Sequence, residues 1–393
     1  MPEDIASIPI LALISPLSWI GRQILRGVHE FARSQPHWQV RDAGHVAAID
    51  PAALAEHPPA GIIAERWIDE LLAPISGTVP LVGVLNPLAR GDVRVLLDHH
   101  AAGRMAADHL AARGYHHLAF VQKSTANDPR RQWARDRLAG FSEAVAVAGG
   151  THATYHPNPH STRLSHGTPW LPFDPDLVAW IDQLDKPVGI FCADDEVARK
   201  VADSCLGHGL RVPEDVGILG VNGDPLSCDW ARPHLSTIHL PWQRLGYEAA
   251  ARLAPLLDGM VPSESCVLLH PIGLRASQST DIAVADDPQL AAALRYIEAN
   301  ACRGIGIDQV CRAISIDRRR LERGVRKALG RSPYREIQRL QCEQAKYLLA
   351  TSSLSVREIA DRVGVAYKNF AEMFRRGVGC PPREYRAEHG VRG

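Results

Sequence analysis

At 393 residues the chain is too long for a single hydrophobic core, and two or three domains are expected. Its zero net charge divides unevenly: residues 287–393 hold 21 Lys and Arg against 12 Asp and Glu, whereas residues 1–286 hold 23 against 32, so a polyanion belongs at the C-terminal end. The eight cysteines form no C-x-x-C pair and no alternating Cys/His spacing, which excludes a zinc module and leaves them as buried apolar residues in a reducing compartment. The start, MPEDIASIPILALISPLSW, is acidic where a secretory leader needs basic residues, and no run of 18 apolar residues follows. A cytoplasmic protein with no membrane partner is expected.

From residue 8 to about 275, apolar strand-like runs alternate with amphipathic helices. The runs are IPILALI (8–14), WQVRDA (38–43), GIIAE (61–65), PLVGVL (80–85), HHLAFVQ (116–122), PVGIFCA (187–193) and DVGILGVNG (215–223). Helices are predicted over 21–33, 101–112, 133–148, 196–206 and 242–257. Near-continuous apolar strands separated by helices indicate parallel sheets covered on both faces, and the segment is long enough for two of them. Residues 155–175, rich in Pro, His and Thr, read as a long irregular loop. His99, His100, His116, His117, His152, His156, His160 and His166 fall into no H-E-x-x-H or facial pattern and read as solvated loop or strand-end residues. There is no Walker loop, no G-x-G-x-x-G and no nucleophile and base pair, so neither cofactor nor metal nor enzyme activity is expected.

The basic third holds two helix-turn-helix patterns. In the first, Ile307, Val310, Cys311 and Ile314 recur at helical spacing, a turn falls at Ser315 and Ile316, and Asp317 N-caps a helix that turns Leu321 and Val325 inward. Its outward face carries Arg318, Arg319, Arg320, Arg323, Arg326 and Lys327, a cation density suited to phosphate and guanine edges. A helix of about 18 residues follows from Pro333, with Ile337, Leu340, Cys342, Ala345, Leu348 and Leu349 on one stripe. Its length of about 27 Å approaches the ~34 Å between successive major grooves on one face of B-DNA. In the second unit Ile359, Ala360 and Val363 face inward, Gly364 turns the chain, and Phe370, Met373 and Phe374 form the next inward face. Tyr367, Lys368, Asn369, Glu372 and Arg375 are left outward as DNA-contacting candidates.

This C-terminal stretch resembles the DNA-binding domain of AraC-type transcription regulators. The resemblance rests on the REIADRVG turn, Phe370 and Phe374 in the pattern F-x-x-x-F-[RK], Gly379, and Pro382 followed by Glu384, Tyr385 and Arg386. Two departures stand out: Ser315 where the family has glycine, and a shortened second turn with Ala366 where a serine N-cap is usual.

The preceding segment resembles the sugar-binding domains of LacI-type repressors and periplasmic binding proteins. It does so through GRQILRGVHEFA (21–32), DRLAGF (136–141), CADDEVA (192–198) and LRVPEDVGILGVNGDP (210–225), in that order. No DNA-binding headpiece is seen before the first strand. The combination, with RASQSTD (275–281) and LRYIEANACRGIGIDQV (294–310), most resembles the family of xylose-responsive regulators. The resemblance implies an α/β periplasmic-binding-protein-like sensor of two lobes over residues 1–280 and a linker over 281–288. An all-α domain with two helix-turn-helix units then covers 289–390. It also implies a homodimer gated by a monosaccharide, with xylose the leading candidate, which binds double-stranded DNA and works with RNA polymerase, as an activator.

Sugar ligands are sought at the carboxyl ends of strands, where acids, amides and guanidinium groups meet hydroxyls and an aromatic plate meets the ring. Trp19, Trp133, Arg135, Arg137, Asp194, Asp195 and Asn222 are the candidates. The resemblance makes Arg135, Asp194 and Asn222 direct ligands, and Arg137 has pairing with a lobe carboxylate as its alternative to a ligand role. Asp194 and Asp195 have the alternative role of capping the helix that follows.

Overall fold

The computed structural model describes residues 7–42, 49–65, 69–75, 77–85, 92–123, 131–157, 174–280, 288–352 and 354–389. The chain divides into two compact units, residues 1–98 with 241–270, and residues 99–240 with 271–393.

In the first unit β1 (Ile8–Leu13), β2 (Trp38–Asp42), β3 (Gly61–Glu65), β4 (Leu81–Val84), β5 (Val93–Leu97) and β11 (Cys266–Leu269) form a parallel sheet in the order β11-β5-β4-β3-β1-β2. Its helices are α1 (Trp19–Ala32), α2 (Pro51–Glu56), α3 (Asp69–Leu72) and α9 (Trp242–Leu257). Leu13, Leu54, Ile62, Leu72 and Val79 make part of its core.

The second unit begins with α4 (His99–Ala112), β6 (His117–Val121), α5 (Gln132–Val147), β7 (His152–Tyr155), α6 (Pro175–Asp182), β8 (Val188–Cys192) and α7 (Asp195–Gly207). It continues through β9 (Val216–Asn222), α8 (Pro225–Trp230), β10 (Ser236–His239) and β12 (Gly273–Arg275). The sheet order is β12-β10-β9-β8-β6-β7, parallel except for β12 against β10. Every residue of β8 and β9 is buried, as helices on both faces require.

The alternating α/β order is as expected, but β5, β7, β10, β11 and β12 were not read from the sequence. Four of them, β7, β10, β11 and β12, are only three or four residues long, too short to display a period, whereas β5 does alternate, buried at Val93, Val95 and Leu97, and was passed over. β10 also reads as polar, STIH, yet is buried throughout. Its hydroxyls are satisfied: Thr237 Oγ1 donates to Asp195 Oδ1 at 2.6 Å and Ser236 Oγ to Ser277 O at 3.0 Å. His152 belongs to β7 and not to a loop, and most of the predicted 155–175 loop, with His160 and His166, lies outside the described residues. The expectation that all cysteines are buried is corrected: all eight are free, but Cys266 is exposed and Cys302, Cys311 and Cys380 are half-buried.

Seven helices complete the second unit: α10 (Pro288–Asn300), α11 (Ile307–Ile314), α12 (Arg318–Leu329), α13 (Pro333–Thr351), α14 (Val356–Arg362), α15 (Tyr367–Val378) and α16 (Pro382–His389). The predicted linker, 281–288, lies outside the described residues up to 287. Two separate cores form: Leu294, Val310, Leu321 and Val325 with Ile337 in one, and Ile359, Phe370, Phe374 and Tyr385 with Cys342, Ala345 and Leu349 in the other. The single helix α13 therefore supplies both cores and, at 19 residues or about 28 Å, sets their separation.

Candidate effector site and nucleic-acid interface

In the second unit the carboxyl ends of β6, β8 and β9 converge with the first turns of α4 and α5. Two glycines bring those helices to backbone contact: a Cβ on Gly103 would lie 2.0 Å from Arg137 O, and one on Gly140 2.0 Å from His100 O. Gly140 is the glycine of the DRLAGF motif, so the motif's arginine and its glycine are one device.

That arginine, Arg137, is 1% exposed and donates to three neutral acceptors. These are Ala193 O at 2.6 Å, Asn222 Oδ1 at 3.0 Å and His99 Nδ1 at 3.3 Å from Nε. Its Cζ also lies 4.7 Å from the centre of the Trp133 ring. Burial pulls its pKa down to about 10, opposed by the charges of Asp194 and Asp195. The expected ion pair with a lobe carboxylate is thus replaced by neutral acceptors.

His99, expected to be solvated, is 7% exposed. Burial, then the charge of Arg137, hold it far below the ordinary histidine range. It is neutral, and because arginine only donates, Nδ1 is the acceptor and Nε2 carries the hydrogen.

Asp194 caps a helix, as its alternative reading has it, and also holds a lysine. Oδ1 accepts from Val197 N at 2.9 Å, capping α7, and Oδ2 accepts from Lys123 Nζ at 2.6 Å. Lys123, at the end of β6, also bonds Glu196 Oε2 at 2.6 Å. Burial opposes its charge, yet the two carboxylates, Asp194 foremost, hold it above the ordinary lysine range. Asp195 is engaged within the fold: Thr237 Oγ1 and Asp224 N donate to it, the latter at 2.8 Å, so it ties the start of α7 to β10 and to the turn after β9. Burial raises its pKa to about 6 against the pull of those hydrogen bonds. Asn222 has a φ of 135°, a conformation side chains rarely adopt, held here by the surrounding turn.

The structure therefore brings Trp133, Arg137, Asp194 and Asn222 together, with Lys123 and His99 added. Arg135 is half-buried, with its guanidinium held by Gln132 Oε1 at 2.6 and 3.1 Å. Trp19 opens α1 in the other unit, half-buried. Lys123 was missed although it directly follows a strand run that was read. His99 was missed because the strand before it, β5, was.

In the helical region Asp317 Oδ1 accepts from Arg320 N at 3.0 Å and caps α12 as predicted. Arg318, Arg319, Arg320, Arg323, Arg326 and Lys327 are all exposed. Arg318 is tied to Glu322 Oε1 at 3.0 Å and Asp308 Oδ1 at 3.1 Å, which removes it from the freely available cations. The exposed face of α15 carries Tyr367, Lys368, Asn369, Glu372 and Arg375, with Glu372 taken up by Arg376. Ser315 meets the requirement usually met by glycine, with φ 56° and ψ 40°. Ala366 begins α15 without a side-chain cap.

Two family descriptions match the chain: a periplasmic binding protein-like domain over residues 107–280 and a helix-turn-helix domain over 310–388. The chain is similar to the xylose operon regulatory protein of Escherichia coli K12, 27% identical over 379 residues, covering 93% of each chain. The protein of that name from Haemophilus influenzae Rd is 26% identical over 380 residues, covering 93% of this chain and 94% of that one. Among solved structures, that of a xylose-binding transcription activator matches with a TM-score of 0.59 at 26% identity, over 97% of this chain and 98% of the other. Both halves of the architecture and their order along nearly the whole chain are shared with these relatives. The chain is a sugar-responsive, DNA-binding transcription regulator of the type that the xylose operon regulators represent, and not an enzyme.

Proposed function

We propose that the effector is an uncharged aldopentose, D-xylose first, and that its binding makes the chain an activator of carbohydrate catabolism. The observation that carries this is the buried Arg137, hydrogen-bonded to Asn222 and stacked on Trp133, beside an Asp194 already neutralised by Lys123. Charges there balance, which suits hydroxyls; a phosphorylated sugar would call for surplus cations or a glycine-rich helix start. The similar regulators are those of xylose operons, and the matching structure is that of a xylose-binding activator.

Arg137, Asp194, Asn222 and His99 are the polar ligands in this reading, with Trp133 against the ring and Arg135 at the margin. Residues 1–280 form the sensor and 289–390 the DNA-binding domain. The working form is a cytoplasmic homodimer that presents four helix-turn-helix units and contacts RNA polymerase. Among the described residues no helix is long and apolar enough to cross a membrane.

Thermal shift of the full chain against D-xylose, L-arabinose, D-ribose, D-glucose and D-xylose 5-phosphate tests the reading. A sugar at a hundred times its Kd stabilises by about 2.7 kcal/mol. A rise with D-xylose alone supports it; a rise only with the phosphate refutes the uncharged effector.

A further inference from the structure

We propose that the ring contact between His239 and Tyr347 is the point at which the DNA-binding helices read occupancy of the effector site, an inference that rests on the effector site assigned above. Four observations converge on it.

First, His239 is the register partner of Asn222 across β9 and β10. The turn after Asn222 is packed onto its ring: Gly223 has φ 81°, and a Cβ there would lie 2.2 Å from His239 Nδ1. Asn222 itself has a rarely adopted backbone conformation, and its side-chain oxygen accepts from Arg137. A ligand that takes over the Arg137 or Asn222 hydrogen bonds changes what holds that turn in place, and the ring moves with the turn.

Second, the ring's other neighbour is the DNA-binding domain. The centroids of His239 and Tyr347 lie 4.6 Å apart, and Tyr347 is on α13, the helix that supplies both helix-turn-helix cores.

Third, His239 stands two residues before the chain leaves this unit at Pro241, and Ile272 stands two residues after His270, where it returns. The two are joined, since Ile272 N donates to His239 O at 2.9 Å. Tyr385 of α16 in turn donates its hydroxyl to Ile272 O at 2.6 Å and packs edge-on against Phe374 of α15, with ring centroids 5.5 Å apart. Tyrosines from two helices thus grasp the two adjacent strand ends where the chain crosses between units.

Fourth, the seam has room to shift. A cavity of about 50 Å³ is lined by His239, Gly273, Arg339, Glu343 and Tyr347. His239 Nε2 is buried with no hydrogen-bond partner among the described residues, so the ring is held there by packing and not by a bond that must break. His239 is therefore a positioning residue, acting on DNA through Tyr347.

The test uses full-length chain and a DNA duplex selected from a random pool by the wild-type protein. Anisotropy gives the duplex Kd with and without saturating D-xylose, and calorimetry gives the sugar Kd. Wild type is expected to show at least about a fivefold effect of sugar on DNA affinity. In Tyr347→Ala the sugar Kd and the sugar-free DNA Kd should each stay within about threefold of wild type, while the effect of sugar falls below about twofold. Tyr347→Phe, which keeps the ring, should restore it, and His239→Ala should match Tyr347→Ala. An undiminished sugar effect in Tyr347→Ala overturns this proposal alone. A wild-type chain that D-xylose neither stabilises nor couples to DNA overturns the xylose reading and this proposal with it.

Discussion

Replacing Arg137 by Met separates a ligand arginine from a structural one. The guanidinium makes hydrogen bonds to three acceptors, Ala193 O, Asn222 Oδ1 and His99 Nδ1. At about 2 kcal/mol for each bond from a charged donor, their loss costs about 6 kcal/mol. Against this, burial has already pulled its pKa down to about 10, so about 3 kcal/mol of cost in keeping it charged disappears with it. Methionine fills much of the same volume. The net loss is about 3 kcal/mol, or a fall in Tm of about 6–12 °C for a unit of this size, and the chain stays folded at 25 °C. The effector loses a buried bidentate donor, and its affinity should fall by at least about 100-fold. Arg135→Ala should change affinity by less than about threefold, because Gln132 already holds that guanidinium. Calorimetry on both variants, with melting curves as the control for folding, decides between them. A folded Arg137→Met chain with unchanged sugar affinity, or the opposite ranking of the two variants, refutes the assignment.

On the DNA side, Arg319→Ala and Arg323→Ala should each cost about 1–3 kcal/mol and relax base choice at one position, as expected of side chains one turn apart on the exposed face of α12. Arg326→Ala and Lys327→Ala should weaken all sequences alike and lower the log–log salt slope by about 0.9 each. Binding-site selection with each variant checks this, and uniform weakening by Arg319→Ala would make that residue a phosphate contact. Ser315→Gly should raise the Tm of the helical region by relieving a left-handed residue, a gain of about 0.5–1 kcal/mol, whereas Ser315→Val should lower it. Equal melting of the two variants would show that the turn has rearranged.

The helical third was the most legible part because its signals are local. Caps act across three residues, as with Asp317 on Arg320 and Ser332 on Arg335, and the inward stripes repeat every three or four. Leu321, Val325, Phe370 and Phe374 are all fully buried, as read. In the α/β segment seven strands and five helices were read, with helix starts up to two residues late. The strands lost were β10, whose burial is secured by hydroxyl bonds, β7, β11 and β12, too short to carry a pattern, and β5, whose alternation was passed over. At the candidate site the strand-end residues were named from the sequence, but the hydrogen bonds that join Arg137 to Asn222 and Lys123 to Asp194 were not legible there.

The sequence by itself determined the alternation of strands and helices, the two helix-turn-helix units with their shared helix, and the location of positive charge. Each of these is decided within a few residues along the chain, by helical period, capping and composition. Only the tertiary structure decided which arginine is buried, because Arg137 finds its acceptor 85 residues away in Asn222 and another 38 residues away in His99. It also decided that Lys123 closes on Asp194, 71 residues distant, and that Tyr385 closes on Ile272, 113 residues distant. Partners so far apart in sequence leave no periodic trace; the pairs around Arg137 and Asp194 meet because parallel strands deliver their carboxyl ends to one edge of the sheet, and Tyr385 reaches Ile272 from a helix of the DNA-binding region.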